Sequence, residues 1–144
     1  MTNKKGFTLV EVLVVATIIA LLASAVFYGY TQFARQGRDS RRALDLNNIQ
    51  KGLELYYGRN LQYPNSPYST MVSEIQGIGI SQVPNDPFPG QTYAYGVSSD
   101  RQQYVLRAQL ETAASPLLNQ DLDGTVFSID CSDGSPNLGY CIGS

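Results

Sequence analysis

Histidine and tryptophan are absent from the 144-residue chain, cysteine occurs twice, and only 15% of residues are charged. Without histidine the commonest general base at neutral pH is missing. No serine or cysteine stands beside a recognisable base, and no glycine-rich phosphate loop joins a strand to a helix, so no enzyme is expected. A net charge of −2 excludes a strongly basic nucleic-acid binder. That average conceals a split. Residues 1–59 hold eight Lys and Arg against four Asp and Glu (+4), and residues 60–144 hold two against eight (−6). The length suits one compact domain plus an anchor.

The two cysteines, Cys131 and Cys141, have nine residues between them, which is not a CxxC redox or zinc spacing. In a chain with an export signal they read as one disulfide closing a short loop in an oxidising compartment; two buried free thiols are the alternative.

What the chain does have is one long apolar run. Phe7 to Tyr30 contains a single formal charge, Glu11, and as a helix it reaches about 36 Å, enough to cross a bilayer. A cleaved secretory signal fits Lys4, Lys5 and the small residues Ala23, Ser24 and Ala25. A plain anchor fits the length. Neither gains from Glu11, because a carboxylate inside an apolar helix costs about 2.5–3.5 kcal/mol on insertion scales. A segment that rests in a membrane only until it packs against copies of itself has a use for it.

The string KKGFTLVE, followed directly by the apolar run, resembles the class III signal of type IV pilins and of the pseudopilins of type II secretion systems. The resemblance implies that a prepilin peptidase cuts between Gly6 and Phe7 and methylates the new amine of Phe7. Glu11 then faces the positive amine of an adjoining copy. Paired, the two charges are tolerated in an apolar core where a single one is costly, and the pair sets the register between helices. The implied partners are copies of the chain or other pilins in a helical filament, the prepilin peptidase, and an assembly platform with a separate ATPase. The implied location is the cytoplasmic membrane, single-pass, and then a cell-surface filament. The chain departs from many type IV pilins in having no proline within this run. The positive-inside rule sets Lys4 and Lys5 against Arg35, Arg38, Arg41 and Arg42 beyond the span; those arginines are expected to meet anionic neighbours or lipid headgroups.

Helical signals continue past the span. Leu46, Ile49, Leu53 and Tyr56 recur at three- and four-residue steps, and the helix is expected to end near Gly58 before Pro64. YPNSPYST reads as a loop, and SEIQGIGISQVPNDPFPGQTYAYG, punctuated by proline and glycine, as a surface loop leading into short strands. Within them VPNDPFPGQTYAYG resembles the segment that introduces the first strand in major pseudopilins and related pilins, with Asp86 free to cap the turn. QQYVLRAQL alternates Tyr104, Leu106, Ala108 and Leu110 against Gln103, Val105, Arg107 and Gln109, the pattern of a half-buried strand. It pairs with TYAYGV through SSDR, and TVFSI offers a third strand. Tyr56, Tyr57, Tyr63, Tyr93 and Tyr95 read as core filler.

The expected fold is α+β: a long N-terminal α-helix packed at its far end by a small antiparallel β-sheet. Its parts are a leader at 1–6, a transmembrane and assembly helix at 7–30, an amphipathic helix at 31–58, and loop plus sheet with a C-terminal disulfide loop at 59–144. Asp121, Asp123, Asp130 and Asp133 could offer hard oxygens to one Ca²⁺, although turn formation in DLDG and SDGS explains the same residues. No other cofactor is expected. A pilus or pilin-like filament subunit is favoured by the C-terminal staple; the major pseudopilin of a type II secretion system is the alternative, and a membrane-anchored binding module comes third.

Overall fold

The structure, a computed structural model, describes residues 6–134 and 136–144, and for Tyr28 the backbone alone. The chain divides into two compact units, Met1–Ala34 and Arg35–Ser144. Helix α1, Leu9–Asn60, supplies almost all of the first unit and the opening of the second.

In the first unit every described large apolar side chain from Phe7 to Phe33 is exposed. This is the one helix among the described residues long and apolar enough to cross a membrane. Water is a poor solvent for so much contiguous apolar surface, so lipid or other protein must cover it.

In the second unit α1 becomes one-sided, as its sequence period requires. Leu46, Ile49 and Leu53 are buried, and Tyr56 is half-buried beside them. Helix α1 runs past Gly58 to Asn60, where Leu61 takes the left-handed conformation (φ 55°) and its N–H donates to Tyr57 O at 2.8 Å. The stop is therefore set by the following residues: Tyr57 packs its ring 4.7 Å from Tyr63, and Gln102 Nε2 donates to Leu61 O at 3.2 Å.

A second helix, α2 (Tyr68–Gly77), occupies part of the stretch expected to be loop. Pro67 stands at its N-cap, and Thr70 N and Met71 N donate to Pro67 O. Met71 and Ile75, one turn apart, are the residues it buries. Two buried positions in ten residues between prolines and glycines give too short a period to stand out in sequence.

Strands β1 (Ala94–Val97), β2 (Tyr104–Gln109) and β5 (Gly139–Gly143) form an antiparallel sheet in the order β1-β2-β5. The first hairpin is the expected one, with Tyr95 opposite Leu106. The third strand is not TVFSI. That segment splits into β3 (Thr125–Val126) and β4 (Ile129–Asp130), a separate hairpin whose turn puts Phe127 and Ser128 at positive φ. Two left-handed residues suit a two-residue hairpin turn, and the bend prevents the run from pairing as one strand.

Tyr104, Leu106, Ala108 and Leu110 join the α1 stripe, α2 and Tyr140 in one apolar cluster. Val105, expected to face solvent, is fully buried in a second cluster with Cys131 and Cys141, flanked by Val126, Phe127 and Ile129. The C-terminal hairpin thus covers the far face of β2. Cys131 and Cys141 are joined in a disulfide, ten residues apart in sequence. Closing a loop of that length stabilises by about 3 kcal/mol in the chain-entropy model. Reduction, or Cys141→Ser, is expected to lower the unfolding free energy by that amount, read by urea unfolding; no change would show that the second cluster holds itself together unaided.

Candidate functional site

Two places in the chain combine charge with an apolar setting: the head of α1 in the first unit, and a buried ion cluster in the second.

At the head of α1, Gly6 and Phe7 precede the first helical residue and both are exposed, so the bond between them lies in accessible non-helical backbone. Lys4 and Lys5 fall outside the described residues. Thr8 and Glu11 form a reciprocal cap: Thr8 N and Thr8 Oγ1 donate to Glu11 Oε2 at 2.8 Å, and Glu11 N donates to Thr8 Oγ1 at 3.2 Å. This is the capping box, Thr-x-x-Glu, which satisfies N–H groups that the first turn leaves without partners. Glu11 therefore has a local role that its position in the apolar run does not suggest, although TLVE carries the signal. Oε1 has no hydrogen bond among the described residues, and the exposed Glu11 shares an open, mostly apolar surface depression with Phe7, Val10, Val14 and Val15.

In the second unit lies an ion cluster that no sequence pattern announces, centred on Arg42, a side chain with no exposure. Its Nε and Nη2 hold Asp86 through two bonds of 2.8 and 2.9 Å, and its Nη1 donates to Asp39 at 2.8 Å and to Glu111 at 2.7 Å. Arg38 grips the same Glu111 through Nε (2.8 Å) and Nη2 (2.6 Å). Asp39 accepts the backbone N–H groups of Glu111 and Thr112, both at 3.0 Å, and Asp86 accepts Phe88 N at 2.8 Å, capping its turn as expected. Two guanidinium and three carboxylate groups thus tie α1 to the loop before β1 and to the residues just after β2. Arg38 and Arg42 are committed within the chain and are not available to lipid or anionic neighbours. Of the four arginines weighed against Lys4 and Lys5, Arg35 and Arg41 remain largely exposed.

The cluster shifts its members in opposite senses. Hydrogen bonds from Arg38, and then from Arg42, outweigh partial burial and bring the Glu111 carboxyl down to about 2. Burial alone would lower the Arg42 value, and the hydrogen bonds to Asp86, Glu111 and Asp39 more than reverse it. A depressed carboxylate contributes stability that is full above its unfolded value, 4.5 for Glu111, and is lost as pH falls towards about 2. The thermal midpoint should therefore drop across that acid window. In Glu111→Gln the part of the drop due to this residue should vanish; an identical acid profile in the variant would remove Glu111 from the explanation.

The four C-terminal aspartates do not form one cluster: Asp121, Asp123 and Asp133 lie near enough for their charges to interact, and Asp130 stands apart from them. Asp130 Oδ1 accepts Ser132 N and Oγ, and its Oδ2 accepts Asn137 Nδ2 at 3.1 Å, so it shapes its own turn. Asp121 Oδ2 accepts Cys141 N at 2.9 Å, while Asp121 Oδ1 and Asp133 Oδ1 are buried without a hydrogen-bond partner among the described residues. Burial and neighbouring carboxylates, Asp133 and Asp123 for the one and Asp123 for the other, raise the pKa values of Asp121 and Asp133. Among the described residues no group of three or more acidic or cysteine side chains is arranged to hold a metal ion.

Residues 1–27 match the family described as the prokaryotic N-terminal methylation motif. The chain is 31% identical over 84 residues to the type IV wide pilus major component PilA4 of Thermus thermophilus. That similarity covers 58% of this chain and 60% of the relative, so the chain spans about three fifths of the length of the curated protein it matches. No solved structure gives a significant match.

Proposed function

We propose that the chain is a type IV pilin-like protein, a structural subunit of a type IV pilus or pilin-like filament, assembled through α1 after removal of residues 1–6. The observation that carries this is the match of the methylation motif to a helix head where an accessible Gly6–Phe7 bond precedes a bare apolar run holding one half-used carboxylate. Cleavage creates an α-amine at Phe7. In an apolar filament core that cation needs an anion, and Glu11 Oε1 of an adjoining copy is open to it. Lipid covers the run before assembly and copies cover it afterwards, so apolar contact is kept across the transfer. The partners are copies of the chain, a prepilin peptidase, and an assembly platform with a separate ATPase. The setting is a membrane and then a surface filament.

Mass measurement of the protein from its host tests this directly. The expected first residue is a methylated Phe7. A chain that still begins at Met1, or that begins beyond Ala25, removes the proposal.

The second possibility, the major pseudopilin of a type II secretion system, is supported by VPNDPFPGQTYAYG, whose Asp86 both caps its turn and binds Arg42. Long filaments in sheared surface material favour the pilus. Their absence, with methylated Phe7 present, favours the pseudopilin.

A further inference from the structure

Within the second unit a groove of about 630 Å³ runs between α1, from Gln36 to Leu44, and the segment Thr112–Leu117. We propose that this groove receives the apolar α1 segment, residues 7–33, of a second copy of the chain. The inference rests on the filament function proposed above and locates part of the surface that function needs.

The lining is chosen against charge. Asp39, the one acidic residue there, has its two oxygens taken by Arg42 and by the N–H groups of Glu111 and Thr112. Of the buried polar side-chain atoms in the walls, only Thr112 Oγ1 lacks a partner among the described residues. Ser115 is spent on Leu117 N, where it caps the short 3₁₀ helix Pro116–Asn119. A charged ligand would find no counter-charge to meet, whereas an apolar helix would meet Ala43, Leu44, Ala114, Pro116 and Leu117.

Leu44 is the unusual member, a leucine 64% exposed on a helix whose neighbouring face is fully packed. Leu55 repeats it eleven residues later at 61% exposure, and eleven residues are three turns, so both stand on one face that the sheet does not cover. The same interval separates Glu11, Leu22 and Phe33 in the first unit. Gln36 to Leu44 spans about 12 Å of helix, enough for roughly two turns of an opposing helix at an interaxial distance of 8–10 Å. The chain carries the occupant as well. No residue in the apolar window of α1 is buried by its own chain, so a second copy offers an uncovered apolar helix of the kind the groove would take.

The test places a photo-crosslinking benzophenone amino acid at Leu44 of the full chain in its host, alongside Leu44→Arg. In assembled filaments the cross-linked peptide is expected to come from residues 7–33 of another copy. Leu44→Arg is expected to reduce filament yield by about tenfold or more, since an unpaired guanidinium would be trapped in an apolar contact. Its thermal midpoint should match wild type, because Leu44 contributes little to the domain core. Filaments that form at normal yield in Leu44→Arg, or cross-links that map outside residues 7–33 of a second copy, overturn the groove assignment and leave the filament function standing. Failure of the wild-type chain to enter any filament overturns both.

Discussion

Arg42→Met should lower the unfolding free energy of the globular unit by about 3–5 kcal/mol, the usual cost of removing one partner from a buried ion group. The side chain has no exposure, and Met replaces its volume without its charge. Left behind are the carboxylates of Asp39, Asp86 and Glu111, with only Arg38 still bound to one of them. Arg41, one residue earlier, faces solvent and lies 3.9 Å from Asp45. Its replacement by alanine should change stability by about 0.5 kcal/mol or less. Urea unfolding of the detergent-solubilised chain, followed through the tyrosine signal of the core, measures both. A loss under about 1 kcal/mol for Arg42→Met would mean that the carboxylates find other partners or take up protons at little cost. The cluster need not be a net source of stability for this result to hold. Replacing all its members with well-packed apolar residues is often neutral or stabilising in other proteins, so what the ions add here is the position of the pre-β1 loop and of Glu111 on α1.

The second large effect concerns Glu11 and separates its two roles. Glu11→Val removes both the capping box and the charge; Glu11→Gln keeps a residue able to complete the box and removes only the charge. If the carboxylate meets the amine of an adjoining copy, both variants should lose filaments, leaving a buried amine unpaired at a cost of roughly 3–5 kcal/mol per contact. If its importance is local, Glu11→Gln should assemble and Glu11→Val alone should suffer, by about 1 kcal/mol of helix stability. Filament yield is the readout, with processing at Phe7 checked by mass so that a failed cleavage is not mistaken for failed assembly. Normal filaments from Glu11→Gln would end the charge-pairing account of assembly.

The features legible in sequence are those with a clean period. Leu46, Ile49 and Leu53 announce the packed face of α1, and Tyr104 to Leu110 announce β2, because a single repeating contact sets each pattern. Val105 escapes because its burial comes from a disulfide-bonded hairpin distant in sequence, and one strand cannot record that both its faces are covered. Helix α2 escapes because its two buried residues share a short stretch with flanking prolines and glycines. At the head of α1 the pattern Thr-x-x-Glu is in plain view, but its position in an apolar run draws the explanation towards a partner chain and away from Thr8. The Arg42 cluster is hidden for a different reason. Its anions lie three, 44 and 69 residues from Arg42, and only the folded chain brings them together. A run of arginines beyond a span looks the same whether it faces lipid or its own domain.

The C-terminal hairpin gives the molecule a division of labour. Its apolar cluster, gathered around Cys131 and Cys141, is separate from the one shared by α1, α2 and the sheet. Substitutions at exposed positions of that hairpin are therefore expected to leave the larger cluster, on which α1 and the sheet rest, undisturbed.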